Sequence, residues 1–416
     1  MQESFNKRRI PRVGFGKFSL SPGRAVIRSF QRMLKDLQFG TIDLIWPDGT
    51  CTTHGTEASG DTARVTVTLH NYIPVRRLII EGHNGFVEAY LDGHWSTNDL
   101  RTMFEIVMRN ETMFESVLEG KLLARIRNAI MHMFNRNSHA GSRRNISYHY
   151  DLGNEFYSVW LDDSMTYSSA LFSNERQSLA DAQANKIERI AQLLAPSSDS
   201  KVLEIGCGWG ALGKALVEKT ACQVQGVSLS QEQLDYANSE NADPRVSFEF
   251  KDYRDLAGQY DHIVSIEMFE AVGRAYWQTY FSQLKKLLAA NGTALLQIIT
   301  IEESRFETYS KQPDFIQGYV FPGGMLPTRN ILYQLIDDAG FEVTHAQWFG
   351  DSYARTLRIW RDNFERQLDR IRALGYDERF IRLWRYYLTY CETGFSRATT
   401  DVCMLHISRK TGDPVS

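Results

Sequence analysis

The run Val202-Leu203-Glu204-Ile205-Gly206-Cys207-Gly208-Trp209-Gly210 sets an acid and three glycines where an apolar strand gives way to a turn. Glycines at 206, 208 and 210 remove Cβ atoms where a backbone must turn sharply and approach a ligand, and Glu204 before them can hold a cationic amino group. The spacing Gly-x-Gly-x-Gly lacks the two-residue gap of the dinucleotide fingerprint, and Glu204 would crowd a pyrophosphate. An adenosyl cofactor with an amino-acid end, S-adenosylmethionine (SAM), suits these residues. Ligands of parallel sheets bind beyond the carboxyl ends of the strands, so the following strands should supply the remaining contacts. Ser228 and Gln233 then face the ribose, Asp252 the adenine amine and Tyr253 the ring face.

These residues need a parallel sheet behind them. Beyond residue 145 the chain alternates strands and helices, as such sheets do. The pattern predicts helices over Ser178 to Leu194, Ala211 to Glu218, Gln231 to Asn238 and Ala275 to Ala289. Strands are predicted over Lys201 to Ile205, Gln223 to Val227, Val246 to Phe250, His262 to Ile266, Thr293 to Ile299, Phe341 to Trp348 and Val402 to Ser408. That count matches the seven-stranded, Rossmann-like α/β sheet of class I SAM-dependent methyltransferases. A long aromatic-rich helical insertion separates the last two strands.

The first 145 residues read as a smaller α+β domain. Ser21-Pro22-Gly23 starts a helix with Val26, Ile27, Phe30, Met33, Leu34 and Leu37 on one face and Arg24, Arg28, Arg32 and Lys35 on another. Such a helix can lie on an anionic bilayer, or serve as a domain helix with a solvated basic face. Short alternating segments at Thr41 to Trp46, Arg64 to Leu69, Arg77 to Glu81 and Phe86 to Leu91 suggest a small sheet, and Ser96 and Thr97 are candidate caps of helices running to Ile126. The stretch from Asn135 to Asn145 reads as a linker, giving domains of 1–145 and 146–416.

A chain of 416 residues with 43% hydrophobic content can bury two cores. Its net charge of -3 hides an asymmetry: nine basic residues and no acid lie between Phe5 and Lys35, and six more without an acid between Lys121 and Arg144. Such segments meet something anionic. No nucleic-acid-binding motif accompanies the charge, so nucleic acid ranks behind a membrane surface. The five cysteines are scattered without a Cys-x-x-Cys pair, which offers neither a zinc site nor a disulfide framework and points to a reducing cytosol. No run is long and uncharged enough to span a membrane.

His149-Tyr150-Asp151-Leu152-Gly153-Asn154, Met165-Thr166-Tyr167-Ser168, the Gly206 to Gly210 turn, Asp252-Tyr253-Arg254-Asp255-Leu256, Met268-Phe269-Glu270 and Phe321-Pro322-Gly323-Gly324 together resemble the cyclopropane fatty acid synthases and mycolic acid methyltransferases. The resemblance extends from Glu88-Ala89-Tyr90-Leu91-Asp92-Gly93 through Trp360. It implies SAM contacts at Tyr167, Ser168, Gly206, Gly208, Ser228, Leu229, Gln233 and Tyr253. It also implies an unsaturated acyl chain of a membrane phospholipid as acceptor, and a bicarbonate base held by a Cys, a Glu, a His and a Tyr. Glu270 and Tyr353 match two of those ligands. Ser169 and Gln297 stand where the Cys and the His are expected, which removes the imidazole and puts the bicarbonate in doubt.

Methyl addition to an alkene leaves a carbocation whose deprotonation gives either a cyclopropane or a methyl-branched alkene. Aromatic residues of the insertion, among them Trp360, Phe364, Trp384 and Tyr387, suit a dry chamber around such a cation, although most stripes of this kind are core packing. The expected setting is cytoplasmic and peripheral to the inner face of the cell membrane, where two basic N-terminal surfaces on one bilayer would suit a homodimer. Methylation of another lipid-like molecule, and lipid binding by a decayed methyltransferase domain, are the competing readings.

Overall fold

Strict alternation at Arg64–Leu69 buries Val65, Val67 and Leu69 and leaves the intervening threonines half-exposed, the period-two pattern of a strand with one covered face. The computed structural model describes residues 24–55, 63–111, 141, 152–311 and 314–411. Two compact units divide the chain: Met1–Arg125 with Gly375–Tyr386, and Ile126–Leu374 with Tyr387–Ser416. Apart from residue 141, the linker over 135–145, the basic stretch 121–144, the helix start at 21–23 and the helices expected from Phe114 to Ile126 lie outside the described residues.

In the first unit β1 (Thr41–Ile45), β2 (Cys51–Gly55), β3 (Arg64–Leu69) and β4 (Trp95–Thr97) form a sheet in the order β2-β1-β3-β4. The helix Arg24–Lys35 turns Phe30 and Leu34 inward, with Phe30 edge-on to Trp46 at 6.2 Å, while Arg28, Arg32 and Lys35 are exposed. Phe30, Leu34 and Leu37 are therefore covered within the unit, as in a domain helix, while Ile27 and Met33 are half-buried. Each such buried side chain contributes roughly 1.5–3 kcal/mol.

Two segments expected as strands are helices, Ile73–Glu81 and His83–Leu91. Pro74 in the first turn and Gly82 at φ 69° bracket the first helix, and Val87, Tyr90 and Leu91 put i, i+3 and i+4 of the second into the core. Packing at helical spacing outweighs the β-branched composition. Ser96 and Thr97 lie in β4 instead of capping; the helix Leu100–Arg109 is capped by Asp99, whose side chain accepts from Thr102 N–H. Residues 375–386 complete this unit: Tyr386 packs edge-on against Phe104 at 4.7 Å, and Arg379 pairs with Glu88 at 2.7 Å and Asp92 at 2.5 Å.

The second unit holds a seven-stranded sheet built from β5 (Lys201–Ile205), β6 (Gln223–Ser228), β7 (Val246–Phe250), β8 (Tyr260–Ile266), β9 (Leu288–Ile301), β10 (Phe341–Trp348) and β11 (Thr400–Arg409). Its order is β10-β11-β9-β8-β5-β6-β7, parallel from β9 through β7 and antiparallel at β11. Every predicted strand of the sheet is present. The chain leaves β5 toward β6 and β7 on one side and returns to β8 on the other, so the switch point lies between β5 and β8, where such sheets bind ligands. The helix Trp277–Leu287 buries Trp277, Phe281 and Leu284 against Ile263 and Leu296 of the sheet core.

Between β10 and β11 run the helices Gly350–Arg366, Leu368–Ala373 and Glu378–Ser396. Their aromatic residues divide. Trp360 and Phe364 are fully buried beside Trp160 and Phe156, whereas Phe380, Trp384 and Tyr386 belong to the first unit.

Candidate active site

A cavity opens at the carboxyl ends of β5, β6 and β8, and its wall includes Tyr167, Ser168, Glu204, Gly206, Gly208 and Glu267. After β5 the backbone turns through Gly206 at φ 86° and Gly208 at φ 51°, conformations that side chains resist. A Cβ on Gly208 would come no nearer to another residue than 3.9 Å from Gln233 Nε2, so its face is open to a ligand. Glu204 is 4% exposed and burial pushes its carboxyl up to about 8; its Oε2 has no hydrogen-bond partner. An arriving ammonium would supply that partner and restore the charge.

At the end of β6, Ser228 Oγ donates to Gln233 Oε1 at 3.2 Å, and Ser230 caps the helix Gln231–Ser239 that carries Gln233. Ser228, Leu229 and Gln233 line the cavity. Beyond β7, Asp252 and Tyr253 also line it; the Asp252 carboxylate is held by Arg254 at 2.5 Å, a partner that sequence reading passed over. Tyr167 packs against Trp360 at 5.3 Å and its hydroxyl bonds that of Tyr387 at 2.9 Å. Gly210 is the exception among the residues expected at the cofactor, because its missing Cβ makes room for Phe248 and Ala237; the others lie on one wall or another of this cavity. A buried acid with one unpartnered oxygen, a glycine cradle and hydroxyl and amide groups spaced along the cavity fit the amino-acid, ribose and adenine parts of SAM.

The residues expected around a base are arranged otherwise than their motifs suggested. Ser169, Gln297 and Tyr353 converge on Glu267, the first residue past β8. Its Oε1 accepts from the Ser169 N–H at 2.8 Å and from Gln297 Nε2 at 2.7 Å, and its Oε2 accepts from the Tyr353 hydroxyl at 2.6 Å. Ser169 contributes its backbone, because its hydroxyl donates to the Ala170 carbonyl. Glu270 stands apart from this group: its Oε1 accepts from Ile299 N–H, and its Oε2 has no partner.

Burial raises the Glu267 carboxyl above its ordinary value, while the Tyr353 hydroxyl, the Ser169 N–H, the Lys186 charge and the Gln297 amide act to lower it. Burial and the Glu267 charge push Glu270 up to about 8. The two carboxyls thus differ in surroundings: three donors favour the ionised form of Glu267 against the cost of its burial, whereas Glu270 has the Ile299 N–H alone on one oxygen and none on the other. Glu267 also has φ 51°, a left-handed conformation that places strain at the site. An acid immediately after a central parallel strand was the signal available for it. Lys186, on the helix Leu179–Leu194, is 2% exposed, lines the cavity and donates to Ser168 Oγ at 2.6 Å. It too escaped the motifs.

Fold and site define a class I SAM-dependent methyltransferase, with SAM as cofactor. The sequence model of the family described as mycolic acid cyclopropane synthetase matches residues 137–405, and the chain belongs to that family. It is 34% identical over 374 residues to the tuberculostearic acid methyltransferase UfaA1 of Mycobacterium tuberculosis, covering 86% of each chain. Identity to the cyclopropane-fatty-acyl-phospholipid synthase of Escherichia coli K12 is 32% over 336 residues, 80% of this chain and 85% of that one. Among solved structures, the mycolic acid cyclopropane synthase CmaA1 complexed with SAH and CTAB superposes with a TM-score of 0.61 at 30% identity, over 64% of this chain and 97% of that one. The protein is an enzyme, a SAM-dependent lipid methyltransferase or cyclopropane synthase.

Proposed function

We propose that this enzyme adds the SAM methyl group to the double bond of an unsaturated acyl chain in a membrane phospholipid, and that Glu267 then removes a proton to leave a methyl-branched unsaturated chain. The observation that carries the reading is a carboxylate held by Ser169, Gln297 and Tyr353, the residues around which the family resemblance expects a bound bicarbonate. Similarity to a tuberculostearic acid methyltransferase over 86% of the chain supports the open-chain product.

When bound, SAM supplies an electrophilic methyl. The acyl chain that receives it carries a cation, which loses a proton as the electron pair of the broken C–H bond forms a new double bond. Glu267 Oε1 has two donors and Oε2 one, so Oε2 keeps a lone pair for that proton. Tyr167, packed against Trp160 and Trp360, presents aromatic surface in the cavity wall and helps to exclude water that would trap the cation.

Lipids from bacterial cells expressing the enzyme, examined by mass spectrometry, are expected to gain one CH2 per modified chain and to take up hydrogen afterwards. A gain that resists hydrogenation means ring closure and overturns the open-chain product. No gain in any unsaturated phospholipid overturns the lipid acceptor.

The exposed Arg28, Arg32 and Lys35, with the basic run before them in sequence, support attachment to the anionic inner face of the cell membrane. Charges near such a surface contribute about 1 kcal/mol each and are screened as the Debye length shrinks from about 10 Å at 0.1 M salt to about 3 Å at 1 M. The protein should float with phosphatidylglycerol vesicles at low salt and leave them at high salt. Equal flotation with phosphatidylcholine vesicles under both conditions would count against an electrostatic contact. Among the described residues no helix is long and apolar enough to cross a membrane.

A further inference from the structure

Lys186 is a buried cation whose charge favours an ionised Glu267 and whose contact with Ser168 the chemistry above does not use. Its ammonium, 2% exposed, reaches Ser168 Oγ at 2.6 Å and forms no ion pair among the described residues. Desolvating a lysine without a carboxylate partner is costly, which is why such groups are commonly found where a ligand completes them. Burial lowers its pKa to about 8, with the charges of Glu267, Asp162 and Glu204 acting to raise it.

An ammonium is a donor only, so in the contact with Lys186 the Ser168 oxygen must accept. The proton of that hydroxyl then points elsewhere. Ser168 and Lys186 both line the cavity, and together they offer N–H and O–H donors to an anionic acceptor. The same wall carries Glu204 with an unpartnered oxygen. One buried cation and one buried acid, not paired with each other, match a zwitterion, and the amino-acid end of SAM is one.

We propose that Lys186 and Ser168 receive the carboxylate of the cofactor's amino-acid end, with Glu204 taking its ammonium. Lys186 is then a specificity-determining residue: it selects adenosyl ligands that carry a carboxylate and orients the Ser168 hydroxyl toward it. This assignment rests on the cofactor alone and is independent of the acyl acceptor and of the product.

Calorimetric titration of the full-length protein with S-adenosylhomocysteine and with its decarboxylated analogue, which differ only in the carboxylate, tests it. The wild-type protein is expected to bind S-adenosylhomocysteine at least about tenfold more tightly than the analogue, the scale of one charge-assisted hydrogen bond. Lys186→Met should weaken S-adenosylhomocysteine about 10- to 100-fold and change the analogue by less than about threefold. Ser168→Ala, a smaller change in the core, should narrow the same difference and keeps the test open if the lysine variant does not fold. Equal weakening of both ligands would make Lys186 a structural residue and overturn the proposal. So would unaltered binding of both ligands with slowed turnover, which would assign the charge to Glu267 instead. Failure of the wild type to bind either ligand would remove the cofactor site itself, a result distinct from binding both equally.

Discussion

Glu267→Gln should reduce methyl transfer by about 10²- to 10⁴-fold, the range lost with a positioned general base, while S-adenosylhomocysteine affinity stays within about twofold of wild type. Glutamine keeps the size of the side chain. Its oxygen can still accept from the Ser169 N–H and Gln297, and the Tyr353 hydroxyl can turn to accept from the new amide. What disappears is the charge that takes the proton. Glu270→Gln should cost less than about tenfold, because that carboxyl is already protonated near neutrality and an amide resembles it. Labelled-methyl assays on both variants with phospholipid vesicles would separate them. Nearly full turnover by Glu267→Gln beside an inactive Glu270→Gln would return the base to the residue that the family motif indicates. The pH profile carries the same sign. Glu267 acts ionised, so the rate should fall as pH drops through its raised pKa, and this acid limb should lie above the ordinary carboxylate range.

Glu270→Gln should make the protein more stable than wild type at alkaline pH and indistinguishable from it in mild acid. The folded pKa of about 8 stands above the ordinary 4.5, so between these values the folded protein holds a proton that the unfolded chain has released. Stability therefore declines with rising pH across that window, by up to about 1.4 kcal/mol per unit and a few kcal/mol in all, and levels off above it. The variant lacks this dependence. Its advantage should grow from about pH 5 to pH 8 in urea denaturation at matched ionic strength. Parallel stability curves for the two proteins would show that Glu270 is not held neutral by the fold. Glu204 is raised in the same direction, so only the difference between wild type and variant isolates Glu270.

The sheet and the cofactor wall were legible because both rest on local pattern. Apolar runs with short turns locate β5 to β8, and glycines, Ser228, Gln233, Asp252 and Tyr253 each follow a strand end, a position that sequence alone can identify. The cluster around Glu267 was not legible in this way. Its members are joined across 98 residues between Ser169 and Glu267, 30 between Glu267 and Gln297, and 86 between Glu267 and Tyr353. Family motifs pointed to Glu270, which lies one 3-10 turn further along, and nothing local revealed that Glu267 adopts a left-handed backbone that turns its carboxylate to these donors. In the smaller unit the failure had another cause. Ile79, Ile80 and Val87 favour strands by composition, and only the Pro74 and Gly82 brackets and the spacing of buried residues betray the helices.

The clasp of Arg379 on Glu88 and Asp92 bears on how the protein is made. Glu88 leaves the ribosome 291 residues ahead of the arginine that pairs with it. At about 5–20 residues per second the smaller unit waits roughly 15–60 s for its closing segment, Gly375–Tyr386. During that interval the surfaces of Tyr90 and Phe104 that Tyr386 will cover lie bare. A gene fragment that stops at Arg125 encodes a unit without its closing piece, so the smaller unit is not a cassette that recombination could move intact.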